Sequence, residues 1–194
     1  IFYNILLGKK TEGIHHMSCT QLCDSPERYG LISRLFHWGM ALVLLWQFTS
    51  VIIHTLFEKT AIDKFFWGTH KAVGTLIMLL ILLRVLWALV NLRRRPPAVS
   101  IGSITGHIVL YALMLAIPTI ALIRQYGSGK AFSPFGIPLM HGFEETNKIE
   151  WMIDLGSNFH GLLGWTLLVA VLGHGVAVLW HYLRGDRYVL ERMK

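Results

Sequence analysis

Charge is scarce in this chain, and acidic charge scarcest. Only 15% of its 194 residues are charged, 11 Asp or Glu against 18 Lys or Arg. Soluble domains carry about 25% charged residues, so a surface facing water on all sides is a poor fit. Cysteine is nearly absent. Cys19 and Cys23 make one C-x3-C pair, and two thiols cannot form a four-ligand zinc site. A reducing compartment would also leave them without a disulfide. No C-x-x-C-H occurs, which excludes the usual covalent haem attachment. The chain also has no G-x-S-x-G, H-E-x-x-H, P-loop or G-x-G-x-x-G, so nothing points to hydrolysis or nucleotide binding. There is no internal repeat and no low-complexity tract. The basic residues do not gather on a soluble face, so no nucleic-acid partner is expected.

What is abundant is apolar: 54% hydrophobic and 12% aromatic residues. Crossing a bilayer takes about 20 mainly apolar residues in a helix. Four segments qualify, at about 35–57, 72–92, 104–123 and 159–183. EKTAIDK separates the first two, NLRRRPPAVS the second and third, and a long stretch from Arg124 to Asn158 the last two. Pro96 and Pro97 stop the second span, since proline cannot donate the helical hydrogen bond. Pro118 lies inside the third span, where membrane helices tolerate it. The expected fold is an all-α, integral membrane four-helix bundle surrounded by lipid. Placing both termini inside puts 12 Lys and Arg on inner flanks against 6 on outer ones, which favours N-in and C-in. The net charge of +7 is then mostly inner-face anchoring. Residues 1–24 are expected to be a disordered extension, with Met17 as a plausible true start and His15–His16 without function. Residues 25–194 form the four-helix domain.

Histidine carries the chemistry. Ionisable side chains inside membrane helices are costly and usually face the bundle interior. The fourth span holds two, His160 and His174, at the ends of HGLLGWTLLVAVLGHG. Fourteen residues is close to four helical turns, so both face one way, about 21 Å apart at 1.5 Å per residue. Under the N-in topology each finds a partner at its own depth. His160 meets His70 near the outer surface, and His174 meets His37 near the inner one. Iron in a haem takes axial ligands above and below the ring, and imidazole suits it. The expected cofactors are therefore two bis-histidine b haems stacked across the bilayer. Gly74 and Gly164, each four residues after a ligand and on its face, would let a flat macrocycle come close to the backbone. Glycine is also common in membrane helices for packing alone.

Other residues are candidates for supporting roles. Arg84, at the depth of the inner pair, would bind a haem propionate through its planar fork. Lys71 adjoins His70, and with Arg124 and Lys130 it would form a small cationic field for an anionic donor. His181, one heptad beyond His174, and His107 are candidates for a quinone site with proton relay. His54 points about a quarter turn from His37 and reads as interfacial. His141 falls in the long loop.

The chain resembles the bacterial cytochrome b561 family of four-helix di-haem membrane proteins. The resemblance covers nearly everything from Ser25 on. It rests on SPERYGLISRLFHW around His37, GTHKAVG around His70, GHIVLY at His107 with Pro118 beyond, the His160–His174 spacing and the basic end YLRGDRYVLERMK. The family's four haem ligands fall on His37, His70, His160 and His174, and a family histidine matches His181. The resemblance implies a bacterial inner-membrane protein passing electrons between an outer-face donor and the quinone pool, with ubiquinone as acceptor. One branch oxidises superoxide; SPERYGLIS is nearer a second branch with no settled donor. A more distant resemblance is to cytochrome b subunits of hydrogenases and formate dehydrogenases, which join a soluble partner to quinone. From a different class, a histidine-lined metal or proton transporter would call for repeats and broken helices, which the chain lacks. A plain membrane anchor would have no need of four inward histidines. No oligomeric state is implied.

Overall fold

The computed structural model describes residues 22–194. The expectations for His15, His16, Met17 and Cys19 lie outside the described residues. The described part is helical apart from an isolated bridge between Phe132 and Met140. Four long helices dominate: α1 (Leu31–Leu56), α2 (Ala61–Val90), α3 (Ile101–Gly127) and α4 (Glu150–Leu183). A short α5 (Tyr188–Glu191) ends the chain, and two 3-10 turns lie in the α3–α4 connection. Each long helix is long and apolar enough to cross a membrane. The chain is thus an all-α four-helix bundle.

Two helices start earlier than hydropathy suggests. α2 begins at Ala61 rather than near residue 72, and α4 at Glu150 rather than near 159. Hydropathy marks where lipid begins, and a capped helix can continue beyond it. Thr60 caps α2 by accepting from the Asp63 N–H at 3.3 Å. His70 and His160 therefore sit well inside their helices, about 15 Å from the first turn at 1.5 Å per residue.

Cross-helix contacts fix the topology. His54 meets Asp63, Gln47 meets His70, Arg84 meets His37 and Trp87 meets Ser33, so α1 and α2 are antiparallel. Likewise Arg124 packs at Gly156, Ile117 meets His160 and His107 meets His174, so α3 and α4 are antiparallel. A Cβ on Gly156 would collide with the Arg124 side chain, so glycine there lets α3 and α4 close up. Beyond these two hairpins, α2 packs on α3, while α4 makes no comparable approach to α1 or α2. The space between α4 and the α1–α2 hairpin is spanned by side chains.

One end of the bundle holds the α1–α2 turn and the long α3–α4 connection; it is called the hairpin end below. The other, the terminal end, is tied by polar contacts. Asp24, assigned from sequence to the extension, is buried; it pairs with Arg95 at 3.2 Å and accepts from the Gly30 N–H at 2.9 Å. Arg28 and Arg34 donate to the Lys194 carbonyl, and the Trp38 indole donates to that of Met193 at 3.0 Å. Between the two ends lies the apolar core: Met40, Leu44, Ile77, Ile81, Met114 and Leu167. Leu167 is seven residues from both His160 and His174, so the core fills the mid-depth between them. The outer surface is covered with exposed Leu, Ile, Val, Trp and Phe, as a lipid-facing surface requires.

Candidate metal centres

At the hairpin end, α2 and α4 bring His70 and His160 together, with ring centroids 6.2 Å apart and planes at 82°. At the terminal end, α1 and α4 do the same for His37 and His174, at 6.3 Å and 62°. These separations suit one metal atom between two imidazoles. A metal–imidazole bond is about 2 Å, and each ring adds about 1 Å from nitrogen to centroid, giving about 6 Å in all. Among the described residues no three His, Cys, Asp or Glu side chains form a group suited to a metal ion. The four expected ligands instead meet two by two.

The hydrogen bonds at the hairpin-end pair set its tautomers. The Ser50 hydroxyl donates to the Gln47 carbonyl at 2.7 Å, which leaves it to accept from His70 Nδ1–H at 3.0 Å. His160 Nδ1–H donates to the Ile117 carbonyl at 3.2 Å. Both rings then carry the proton on Nδ1, as metal-bound histidine with an outer-shell partner does, and the His70 Nε2 lone pair faces the Gln47 side-chain amide N–H at 3.3 Å. A cavity of about 580 Å³ opens here, lined by both histidines, Gly74, Gly164, Leu44 and Met114 among others. That volume lies within the usual range for cofactor pockets, about 300–1,000 Å³. A Cβ on Gly164 would meet nothing within 4 Å, and one on Gly74 would touch only Gln47 Nε2, at 3.4 Å. Gln47 Oε1 is buried there without a partner. Paired imidazoles, glycine-lined walls and an apolar cavity fit a flat iron macrocycle.

The terminal-end pair has a different surround. Arg84 Nη2 lies 3.3 Å from His37 Nδ1 and Nη1 3.6 Å from Met40 Sδ, with the guanidinium 5.4 Å from the Tyr111 ring centre. No carboxylate pairs with Arg84 among the described residues. His107 packs edge-on against His174 at 5.4 Å, and its Nδ1–H donates to the Ser103 carbonyl at 2.6 Å. His107, a quinone-site candidate from sequence, thus lies in the terminal-end cluster. Its partner candidate His181 stands apart, with Nδ1 3.3 Å from Asp186 Oδ2.

Lys71, Arg124 and Lys130 all line the hairpin-end cavity. Lys71 Nζ donates to Gln125 Oε1 at 3.0 Å, and Gln125 Nε2 donates to the Lys130 carbonyl at 3.0 Å. His141 is exposed in the connection. His54, read as interfacial, pairs with Asp63 at 2.8 Å and stacks on Trp67. Sequence reasoning missed Gln47, Ser50, Asp63 and Trp67. A signal was present: Gln47, Ser50 and His54 fall at i, i+3 and i+7, a polar ridge on one face of an apolar helix.

Comparison with known proteins agrees with this architecture. Residues 28–194 match the family described as prokaryotic cytochrome b561. The chain is 28% identical over 185 residues to Cytochrome b561 homolog 2 of Escherichia coli (strain K12), covering 88% of this chain and 93% of that protein. It is 25% identical over 177 residues to Probable superoxide oxidase CybB of Yersinia pestis, covering 86% and 96%.

Proposed function

Because the chain belongs to the prokaryotic cytochrome b561 family, a family of membrane b-type cytochromes, we propose that it carries electrons through two b haems between an outer-face donor and the quinone pool of the bacterial inner membrane. The observation that carries this reading is the pair of His–His separations, 6.2 and 6.3 Å, at two depths along one helix. His70 and His160 would hold one haem and His37 and His174 the other. When bound, haem supplies one-electron exchange between ferric and ferrous iron.

The rest is the protein's own work. Two imidazoles at each site would hold the iron and leave it no place for oxygen or peroxide, so the group would supply outer-sphere electron transfer. Ser50 and the Ile117 carbonyl accept from Nδ1–H of His70 and His160, which would direct each Nε2 to the iron once Gln47 moves off His70. The apolar core between the pairs keeps water out and the local dielectric low. A histidine bound through Nε2 carries its proton on Nδ1 and cannot accept from a guanidinium. Arg84 would then leave His37 for a haem propionate, an anion it can grip with its fork. Lys71, Arg124 and Lys130 would draw an anionic donor such as superoxide to the hairpin-end cavity, the outer face under N-in topology. The name of the Yersinia pestis relative, a probable superoxide oxidase, supports that choice. At the terminal end, His181 with Asp186 would meet a quinone carbonyl and relay its proton, with His107 as the second candidate.

The test is a haem count. Wild-type protein should hold two low-spin haems per chain. The double variant His70→Ala/His160→Ala should keep one, as should His37→Ala/His174→Ala. A double variant that still held both haems would refute the assignment.

A further inference from the structure

One titratable pair lies outside both histidine pairs. His54, near the end of α1, meets Asp63, in the first turn of α2, Nδ1 to Oδ1 at 2.8 Å. The Lys59 backbone N–H donates to the other carboxylate oxygen at 2.9 Å. Asp63 is buried, with 7% of its side chain exposed against 34% for His54. An ionised carboxylate only accepts, so His54 must donate from Nδ1. The opposite tautomer would set two lone pairs against each other at hydrogen-bond distance. His54 Nε2 is left as a free base, with a carboxylate behind it to steady the imidazolium it becomes on protonation.

The same ring lies against a residue that lines the cavity. His54 lies flat on Trp67, with centroids 3.8 Å apart and planes 7° from parallel. Trp67 stacks in turn on His70, at 4.6 Å and 28°. Trp67 is a wall of the hairpin-end cavity and remains partly exposed. Stapling the α1–α2 turn needs the His54–Asp63 bond. It does not need a ring stack that runs from a half-buried base to His70.

We propose that His54 is the proton acceptor for a small electron donor of the hydroquinone or enediol class, docked against the exposed edge of the His54–Trp67 stack. This rests on the reading that His70 and His160 hold a haem. A hydroxyl donor becomes strongly acidic as it gives up an electron, so a base at the docking site lowers the barrier. The balance is one proton and one electron. The donor O–H bond breaks, and its proton goes to His54 Nε2. The electron leaves along the Trp67–His70 contact to the one-electron acceptor held there, a b haem. The donor departs as an oxyl radical, and the His54 proton passes to water. Asp63 is a positioning residue that fixes the tautomer. The nearby cations Lys71, Arg124 and Lys130 suit an enediol in its monoanionic form.

Two measurements test this. The first is nitrogen NMR of histidine-labelled, dithionite-reduced holoprotein, with the His54 signal identified by its loss in His54→Gln. The expected signal is an Nδ1–H imidazole; an Nε2–H tautomer would overturn the proposal. The second is stopped-flow haem reduction by durohydroquinone, which releases a proton, and by hexaammineruthenium(II), which does not. His54→Gln keeps a hydrogen bond to Asp63 but cannot take the proton. It should slow durohydroquinone by about 100-fold, within the usual range for a lost general base. It should leave the ruthenium rate and both haem spectra unchanged. Equal slowing with both donors, or none with durohydroquinone, would overturn the proposal. If His54→Gln fails to assemble, the wild type decides: reduction by durohydroquinone must be slower in deuterium oxide, and reduction by ruthenium must not. Failure of the underlying haem reading would appear separately, as wild-type protein lacking the hairpin-end haem before any donor is added.

Discussion

At Arg84 a single charge sits where two requirements meet. Its guanidinium reaches His37 Nδ1 and has no carboxylate partner among the described residues. A cation beside a haem favours the ferrous state, which carries one positive charge fewer on iron. Arg84→Gln should therefore lower the midpoint potential of one haem and leave the other in place. A tenfold shift in the one-electron equilibrium is about 59 mV, and an effect of that order or somewhat smaller is expected. Spectroelectrochemical titration reads both potentials together, and a variant with both unmoved would place the propionate contact elsewhere. The pairing of His37 with His174 and of His70 with His160 was legible in sequence because each needed only its depth along a helix. Ser50 and Gln47 were not, because a hydrogen bond to His70 depends on how α1 and α2 are rotated against each other. Trp67 was hidden for a similar reason: exposed Trp is common at membrane surfaces, and only the stack distinguishes this one.

α4 carries one histidine of each pair and is the least buried of the four long helices. It approaches α3 closely through Gly156 and meets α1 and α2 by side chains alone. Along it His160, Leu167, His174 and His181 recur every seven residues, which keeps them near one face over the whole span. Between the two ligands, Gly164 opens that face to the cavity. A Cβ there meets nothing within 4 Å, so a larger side chain would enter the cavity without pushing helices apart. Gly164→Leu should thus expel the hairpin-end haem while the bundle still folds. Absorbance would report about half the haem per chain, and size-exclusion chromatography in detergent an unchanged profile. Full retention of haem would mean that the macrocycle lies away from this glycine. The early starts of α2 and α4 belong to this scale too, since capping by Thr60 carries α2 past the point where hydropathy falls.

Across the whole molecule, the two histidine pairs sit at opposite ends of the bundle with an apolar core between them. The hairpin end carries Lys71, Arg124 and Lys130 at its cavity, and the terminal end carries the denser basic set around Arg28, Arg34, Arg95 and Arg192. If Lys and Arg are biased toward the cytosol here as in other membrane proteins, the terminal end would lie inside. Reporter fusions after Lys194 and between Arg95 and Ser100 should report the cytosol, and fusions near Ala61 and Gly142 the opposite side. An outside signal from the turn at Arg95 would reverse the faces. The donor site and the quinone site would then change sides together, with the helix packing untouched.

Membrane class, helix number, the four histidines and their pairing by depth were all readable from the chain. Each follows from a one-dimensional quantity: apolar run length, basic-residue bias or rise per residue. A bilayer supplies the missing axis, because it orders residues by depth before any helix is packed. What it cannot supply is rotation about each helix and distance between helices. Those come from packing, and they decide that α4 stands off from α1 and α2, that His107 joins His174 while His181 pairs with Asp186, and that Ser50 meets His70. They also turn His54, a quarter turn from His37 along its own helix, onto Asp63 and Trp67 of the next. A helical wheel measures angle within one helix, and a contact between two depends on where the second one lies.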